Sequence, residues 1–495
     1  MSEFTERLVD DGLPTPPSTT DYLEFNALHR PTTTALINNG LHVTYAEFYR
    51  DVMRFTRAVQ DLQLPRGSSV AIESDNFYLH WSLLLACENL GLATASFLSG
   101  EPQNSQLLAY VDLVLCRSDI SASSARRIHR LSDAWLDQVQ TQPAAVDAAP
   151  RRLMGLGEIQ RIKRSSGTTG FPKMMNTPRR TFENSLQCYL MLNQFTRDTR
   201  LLIATHFTVN SMYLRATACL RLGATCIFDS RLSLAQAIVA YKPTHVRLFQ
   251  YQIKPILDEL PPSFSKPQRL IALMGAGPLS DELRQLILAR FATEIIYAYN
   301  NNETSVIALI DADGFATVRP GSDVEIVNEV GVSVPFGQTG QVRIRSNSLS
   351  SYIGDAAKLQ FRDGWFYTGD AGIMVRPRQF KIVGRIDEVL NIGGMKMSPL
   401  YVEEDITKNS PVATAEIGVT SIGNRDGVEE ICIAAVAAAG TDVKRLEEWL
   451  IARYWLGKVH FAVVDRIPHT ETGKVQRHLL KAMFENQRSK TSFFR

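Results

Sequence analysis

The sequence of 495 residues lacks long apolar runs, a cysteine framework and an excess of charge of either sign. Its longest apolar stretches, near residues 83–87 and 431–439, are too short to cross a bilayer as helices. The six cysteines show no C-x-x-C spacing, which favours buried thiols in a reducing compartment over disulfides or metal ligands. With 53 basic and 51 acidic side chains, the chain offers no long-range attraction for nucleic acid or anionic lipid.

The first 21 residues are polar and lack the basic-then-apolar pattern of a signal peptide. We therefore expect a cytoplasmic protein with no stable membrane insertion. The length exceeds the usual size of one hydrophobic core, so two or more domains are expected.

Strand and helix patterns alternate from residue 40 onward. Thr44 and Glu47 form a capping box, and apolar residues follow it at helical spacing. Strand-like runs recur at 69–73, 111–116, 201–205, 224–228, 245–249, 269–274 and 294–299. Helix-length segments separate most of these runs, which predicts a largely parallel α/β sheet covered on both faces.

The pattern changes after residue 305. Short strand runs separated by Gly and Pro predict a small antiparallel or barrel-like element. From about residue 385, the chain resumes as a compact α+β unit, with helices expected near 399–408 and 442–455. A large N-terminal part followed by a small C-terminal cap is the simplest division.

The segment richest in chemical information is Ser165-Ser166-Gly167-Thr168-Thr169-Gly170-Phe171-Pro172-Lys173. Its glycines let the backbone approach an anion closely, and its hydroxyl and N–H groups can donate to phosphate oxygens. Lys173 adds a positive charge. The spacing differs from the Walker A pattern, which disfavours a P-loop NTPase. A flexible polar linker is the alternative for this segment taken alone.

Five other short segments follow in the chain: Gly275-Ala276-Gly277-Pro278, Tyr299-Asn300-Asn301-Asn302-Glu303, Tyr367-Thr368-Gly369-Asp370, Gly384-Arg385-Ile386-Asp387-Glu388 and Thr472-Gly473-Lys474. In order and spacing, these segments and 165–173 resemble the motifs of the adenylate-forming (AMP-binding) superfamily. That superfamily includes acyl-CoA synthetases, peptide-synthetase adenylation domains and beetle luciferases. The resemblance covers roughly residues 20–480.

The resemblance implies a role for each matched residue. The positions implied to bind ATP or AMP are Ser165, Ser166, Gly167, Thr168, Thr169, Gly170, Lys173, Gly275, Ala276, Gly277, Tyr299, Asn300, Asn302, Asp370 and Arg385. Lys474, Glu303 and His206 are implied to act in catalysis, and Glu303 also to hold Mg²⁺. Asp387 corresponds to the hinge, while Gly393 and Gly394 correspond to a loop that lines the thiol tunnel.

The implied domains are an N-terminal AMP-binding domain at 1–384, a hinge at 385–388 and a C-terminal cap at 389–495. The implied fold is therefore α/β: a large N-terminal domain with a small barrel-like element, followed by a small mobile α+β domain. One small domain cannot present Lys474 and the Gly393–Gly394 loop to one site at once. The resemblance therefore implies a large rotation about Asp387 between two reaction steps.

Each matched side chain also has a simpler explanation. Glu303 on its own fits a solvated acid at a helix start, and Asp370 fits a turn after a strand. Lys474 fits an exposed lysine, and His206 fits a structural histidine rather than one that gates the acyl site or thiol tunnel. Arg247, in a strand that should be buried, either faces solvent or recognises a polar substrate, because burying an unpaired charge is costly.

Two matched positions depart from the family pattern, since Asn300 replaces a glycine and Asn302 a threonine. Both asparagines can still form hydrogen bonds, so nucleotide binding is expected to persist. We expect an ATP-dependent ligase that makes acyl-AMP and transfers the acyl group to coenzyme A. The alternatives are loading of a carrier-protein phosphopantetheine, catalysis of one half-reaction only, and a non-catalytic nucleotide-binding homologue. Assembly as a homodimer is left open.

Overall fold

The computed structural model describes residues 16–99, 104–120, 125–142, 154–164, 173–275, 279, 281–353, 361–386, 390–392, 395–423, 429–437, 440–454, 458–470 and 475–491. The chain forms two compact units. The first comprises Met1–Ile310 and Ser346–Leu359, and the second comprises Asp311–Arg345 and Gln360–Arg495.

The α-helices in the described part of the chain are α1 (Thr19–His29), α2 (Tyr45–Gln60), α3 (Phe77–Asn89), α4 (Asn104–Tyr110), α5 (Asp133–Thr141), α6 (Arg179–Leu192), α7 (Asn210–Leu222), α8 (Leu234–Tyr241), α9 (Ile253–Glu259), α10 (Asp281–Arg290), α11 (Pro399–Asn409), α12 (Val443–Arg453) and α13 (Arg477–Thr491). A short 3₁₀ helix, Gln250–Gln252, precedes α9.

The described strands are β1 (Thr34–Asn38), β2 (Leu41–Thr44), β3 (Ser69–Glu73), β4 (Ala93–Phe97), β5 (Leu113–Cys116), β6 (Ile128–Arg130), β7 (Ile159–Arg164), β8 (Met174–Pro178), β9 (Arg200–Leu202), β10 (Thr225–Phe228), β11 (His245–Arg247), β12 (Ile271–Met274), β13 (Glu294–Asn301), β14 (Ser305–Ile310), β15 (Ala316–Val318), β16 (Ser322–Val327), β17 (Thr339–Ser346), β18 (Ser351–Tyr352), β19 (Phe361–Arg362), β20 (Trp365–Arg376), β21 (Gln379–Arg385), β22 (Leu390–Ile392), β23 (Met395–Met397), β24 (Thr414–Gly423), β25 (Glu429–Ala437) and β26 (Val459–Val463).

The first unit contains two mixed sheets with parallel centres. In one, the strand order is β14-β13-β12-β11-β9-β10-β1-β2, and the strands from β13 to β1 run parallel. In the other, the order is β18-β8-β7-β4-β3-β5-β6, and the strands from β7 to β6 run parallel. The prediction of a largely parallel α/β arrangement is therefore confirmed.

Local sequence explains where α2 begins. The Thr44 hydroxyl accepts a hydrogen bond from the Glu47 amide at 3.2 Å, and the Glu47 carboxylate accepts one from the Thr44 amide at 2.8 Å. This reciprocal pair satisfies two amides that the first helical turn leaves without partners. Phe48 and Val52 then pack into the core at helical spacing. The predicted capping box and helix are confirmed.

The second unit contains an antiparallel sheet and a smaller α+β element. Strands β16, β17, β20, β21 and β15 follow one another across the antiparallel sheet, and β19 pairs with β20. The barrel-like element expected after residue 305 thus takes the form of an open sheet in the described part of the chain. The expected helices near 399–408 and 442–455 are α11 and α12, which pack on β24 and β25.

None of the helices in the described ranges has the length and apolar character needed to cross a bilayer. The six cysteine side chains are all buried, as the sequence predicted.

Candidate active site

Four residues singled out in the sequence lie at one edge of the sheet that contains β9 to β13. Strands β9, β11, β12 and β13 are parallel neighbours, so their carboxyl ends share that edge. His206 follows β9, Arg247 ends β11, Gly275 follows β12, and Glu303 follows β13. The carboxyl edge of parallel strands is where open α/β sheets bind ligands. The sheet therefore brings residues that are scattered through the sequence to the edge where sheets of this kind bind ligands.

The segment 165–172 joins two strands that are held together. Strands β7 and β8 pair antiparallel, with Arg164 opposite Met174. The side-chain amide of Asn302 donates to the carbonyl oxygen of Arg164 at 2.9 Å. Asn302 therefore ties the end of β13 to the last residue of β7. The predicted phosphate-binding positions Ser165 to Gly170 themselves lie outside the described residues, whereas Lys173 is described.

Glu303 is buried beside two residues of the same unit. The Tyr352 hydroxyl donates to its carboxylate, and its carbonyl oxygen accepts a 2.8 Å hydrogen bond from the Ser350 amide. The Lys173 ammonium lies 5.4 Å from the centroid of the Tyr352 ring. Glu303 is only 8% exposed, so it is not the solvated acid that the simpler sequence interpretation allowed.

Lys163 places a second ammonium group near this carboxylate. Its side chain is buried in β7. Burial lowers the pKa of Lys163 to about 8, and the charge of Glu303 opposes that shift. Sequence inspection missed both Lys163 and Tyr352. The signal for Lys163 was its place in the sequence, two residues before the segment of glycines and hydroxyls.

Gly275 is required by close contacts at the end of β12. A β-carbon placed there would lie 2.8 Å from Oδ1 of Asn300 and 3.1 Å from the carbonyl oxygen of Ala298. The 2.8 Å approach is shorter than side-chain carbons tolerate. Asn300, which stands where the family has a glycine, thus packs its side chain against the backbone at Gly275.

Gly275→Ala is expected to push the Asn300 side chain and β13 away from β12. Overpacking of this kind typically costs about 1–3 kcal/mol, and the displaced edge should weaken ATP binding. Thermal unfolding and the KM for ATP are the measurements. A variant with wild-type values for both would show that this contact has no role in shaping the edge.

Asp370 and Arg385 face each other across β20 and β21 of the second unit. Arg385 Nη1 lies 3.3 Å from Asp370 Oδ1 and donates to the carbonyl oxygen of Thr368 at 2.9 Å. The intervening Gly369 has a φ of +77°, and a β-carbon there would lie 2.6 Å from Arg385 Nη2. Glycine is therefore needed for both its backbone conformation and its contact with the guanidinium.

His206 is held in one neutral tautomer. Its Nε2 donates to the carbonyl oxygen of Ser74 at 3.0 Å, while its Nδ1 accepts from the Thr208 amide at 3.2 Å. The rings of Phe77 and His80 lie 5.4 Å and 4.6 Å from its own centroid. Burial lowers the pKa of His206 to about 4. Both nitrogens are occupied, so no acid–base role follows from this geometry, and the gating role stays a prediction.

The low pKa of His206 has a stability consequence. The ordinary pKa is 6.5 and the folded pKa about 4, so the unfolded chain binds a proton that the folded chain does not. The contribution of neutral His206 to the free energy of unfolding is therefore present above pH 6.5 and is lost as the pH falls toward 4. Between pH 7 and pH 5, this histidine should lower the free energy of unfolding of the wild-type protein by on the order of 2 kcal/mol. In His206→Gln, that part of the decrease should be absent. Denaturant unfolding at both pH values measures this, and an unchanged loss would contradict a neutral folded His206.

The structure excludes one of the two explanations that the sequence allowed for Arg247, namely that it faces solvent. Its side chain is 1% exposed, so it does not face solvent. Strand β11 lies between β9 and β12 in the sheet, and helices cover both faces of such parallel strands. A side chain at this position therefore points inward whichever face it occupies.

Several predicted site residues lie outside the described residues. They are Ser165, Ser166, Gly167, Thr168, Thr169, Gly170, Ala276, Gly277, Asp387, Gly393, Gly394 and Lys474. Their roles stay predictions. Within the described ranges, no group of three or more His, Cys, Asp and Glu side chains is placed to hold a metal ion.

Comparison with known proteins finds similarity to AMP-binding enzymes. Residues 132–352 match the family model described as AMP-binding enzyme. The chain is 25% identical to a feruloyl-CoA synthase of Amycolatopsis sp. over 483 residues, which is 92% of this chain and 96% of that protein. It is 24% identical to the fatty acid–[acyl-carrier-protein] ligase ScoC of Streptomyces coeruleorubidus, across 93% of this chain and 95% of that one.

A solved structure of ATP-bound MatB from Rhodopseudomonas palustris has a TM-score of 0.82 at 20% identity, across 94% of this chain and 98% of that one. This likeness shows the shared fold. The matched family model includes Lys173, Glu303 and Tyr352, the residues clustered in the first unit. Residues 132–352 thus match the AMP-binding enzymes, and similarity to a feruloyl-CoA synthase and to an acyl-carrier-protein ligase extends over nearly the whole chain.

Proposed function

We propose that this protein activates a carboxylic acid with ATP and transfers the acyl group to the thiol of coenzyme A. In the first step, a carboxylate oxygen attacks the α-phosphorus of ATP, giving acyl-AMP and pyrophosphate. In the second, the thiol sulfur attacks the acyl carbon, and AMP leaves with the bridging oxygen. The thiol proton passes to solvent.

The observation that carries the proposal is the buried Glu303 beside Tyr352, Lys173 and Lys163. It lies where β13 ends, and Asn302 links that point to the start of the segment 165–172. A carboxylate that interacts with Lys163, beside a tyrosine ring that Lys173 approaches, suits a triphosphate, whose negative charge the lysines can neutralise. Phosphoryl chemistry of this kind depends mainly on positioning and charge neutralisation.

Glu303 is also the proposed holder of Mg²⁺. Magnesium usually takes one or two protein carboxylates together with substrate phosphates and water, so a single buried acid fits this ion. When bound, Mg²⁺ would neutralise charge on the phosphates of ATP. The Tyr352 hydroxyl and the Ser350 amide fix the position of Glu303 for this role.

Other matched residues have proposed positioning roles. Asp370 is proposed to accept hydrogen bonds from both ribose hydroxyls, because an ionised carboxylate has two acceptor oxygens. Arg385, already fixed by Asp370 and Thr368, would extend its guanidinium toward the α-phosphate. Lys474 is proposed to stabilise charge that develops on the α-phosphate and acyl oxygens. The neutral His206 would gate the acyl site sterically rather than by proton transfer.

The second step requires a different arrangement of the C-terminal part. We propose that 389–495 rotates about the hinge at 385–388 relative to 1–384, withdrawing Lys474 and bringing Gly393 and Gly394 to the thiol channel. Adjacent glycines permit the close backbone approach that a narrow channel needs.

Transfer to a carrier-protein phosphopantetheine is the second candidate. Its support is the similarity to ScoC, which is named for an acyl-carrier-protein acceptor. Both acceptors present the same pantetheine thiol, so the chemistry at the acyl carbon would be unchanged.

The test is a panel of carboxylic acids assayed for ATP-dependent pyrophosphate release, with coenzyme A and holo carrier protein supplied separately. We expect acid-dependent pyrophosphate release, and thioester only when coenzyme A is present. Thioester formed on the carrier protein alone would replace the first acceptor with the second. ATP cleavage that yields ADP with every acid would overturn the proposal.

A further inference from the structure

The guanidinium of Arg247 is buried with hydrogen-bonding capacity left over. Its Nη1 donates to the carbonyl oxygens of Leu248 and Leu273, the latter at 3.2 Å. Its Nε is buried and has no hydrogen-bond partner among the described residues. The guanidinium carbon lies 4.5 Å from the centroid of the Phe249 ring. No acidic side chain in the described ranges forms an ion pair with this arginine.

A second buried arginine lies close enough to oppose this charge. Burial lowers the pKa of Arg247 to about 9, and the charge of Arg215 is the next contribution in the same direction. Arg215, in α7, stacks 4.4 Å from the centroid of Tyr189 and donates to the carbonyl oxygen of Ser211 at 3.0 Å. Its Nε is also buried without a partner among the described residues. Arg215 and two tyrosines act on the charge of Arg247, and a tyrosine and a thiol act on that of Arg215, with no carboxylate among these groups.

Three other buried cations of the first unit are compensated by carboxylates. Arg221 forms two hydrogen bonds with the Glu183 carboxylate at 2.7 and 2.8 Å. The charge of Glu88 raises the pKa of Arg161 against the lowering by burial, and the charge of Glu303 does the same for Lys163. Because an unpaired buried charge costs several kcal/mol, the lack of an acidic partner for Arg247 among the described residues calls for an explanation.

Arg247 lies on the ligand-binding edge itself. It is the last residue of β11 and stands opposite Leu273 of β12. Its Nη2 would be 3.6 Å from a β-carbon on Gly275, the same glycine that the Asn300 side chain approaches. An anion reaching this edge would meet a planar guanidinium, which binds carboxylates through two parallel hydrogen bonds.

We propose that the acid activated by this enzyme carries a second carboxylate, remote from the reacting one, and that Arg247 binds it with Arg215 as its supporting charge. The inference rests on the proposed function and names the substrate class as dicarboxylic acids. The remote carboxylate would supply the counter-charge that no acidic side chain in the described ranges provides, while the other carboxylate would react with ATP.

The experiment compares sets of acids that differ only at the end remote from the reacting carboxyl. Each set has a carboxylate, a carboxamide or a methyl group there, on an aromatic ring and on aliphatic chains of graded length. The value of kcat/KM comes from pyrophosphate release. We expect the wild-type enzyme to favour one diacid over its half-amide by about 100-fold, as expected when a buried charge pair gains its partner.

Variants separate recognition from folding. Arg247→Met keeps an unbranched side chain without charge and should abolish the preference for the diacid, while kcat/KM for the methyl-ended acid changes by less than about threefold. Arg247→Lys keeps a point charge without the fork and should retain part of the preference. The matched control is Arg179→Met, because Arg179 is equally buried and donates to the backbone carbonyl oxygens of Met154 and Pro16. This control should keep the wild-type preference.

A binding measurement keeps the test independent of turnover. Calorimetry in the presence of AMP gives the Kd of the same diacid and half-amide for each variant. If no acid is turned over, the proposed function fails, yet tighter diacid binding that depends on Arg247 would still support this site. Equal use and equal binding of diacid and half-amide by the wild-type protein would overturn it. So would equal losses for all acids in Arg247→Met and Arg179→Met.

Discussion

Replacing Lys474 by alanine is expected to slow acyl-AMP formation by about 10²–10³-fold, the usual effect of removing one placed donor from a charge-stabilising site. Thioester formation from supplied acyl-AMP should stay within about threefold of wild type, because the proposed rotation withdraws Lys474 before the thiol arrives. Single-turnover measurements of each half-reaction give the two rates separately.

The control for this variant is Lys481→Ala. Lys481 lies on the exposed side of α13, a few residues after the lysine being tested. Its replacement should leave both rates unchanged. Equal loss of both half-reactions in Lys474→Ala would contradict the division of labour between the two steps.

Replacing Glu303 by glutamine is expected to reduce ATP-dependent turnover by at least tenfold at limiting Mg²⁺. Glutamine keeps the size of the side chain but removes the charge that a hard cation prefers. The same change removes the carboxylate that stabilises the charge of the buried Lys163. We therefore also expect a lower melting temperature. A Mg²⁺ titration of pyrophosphate release, recorded with a thermal melt, distinguishes the two effects.

Tyr352→Phe is the matched control for Glu303→Gln. It removes the hydroxyl that donates to Glu303 but leaves the carboxylate and the aromatic ring near Lys173. Its turnover should fall less, and its Mg²⁺ dependence should resemble that of wild type. If Glu303→Gln follows the wild-type Mg²⁺ curve, Glu303 is not the metal holder.

Patterns local in sequence predicted most of the fold. The capping box at Thr44 located α2, and the strand run at 69–73 coincides with β3. The strand expected at 245–249 is shorter in the structure, because β11 ends at Arg247 and a 3₁₀ helix follows. Side-chain periodicity and helix caps act over a few residues, so one sequence is enough to detect them.

Contacts distant in sequence account for what was missed. Tyr352 meets Glu303 across 49 residues, and no spacing rule connects them. Arg247 was left open because an arginine is normally exposed, and only the position of β11 inside the sheet shows that it is buried. The buried lysine of β7 was overlooked for the same reason. Its acidic neighbour, Glu303, follows β13, which is distant from β7 in the sequence.

The central claim, activation of a carboxylate through acyl-AMP, is tested most directly by following oxygen. An accepted acid labelled with ¹⁸O in its carboxyl group is converted to the coenzyme A thioester, and the nucleotide product is examined by mass spectrometry. Attack at the α-phosphorus leaves one labelled oxygen in AMP. Unlabelled AMP, or label found in inorganic phosphate beside ADP, would contradict the account.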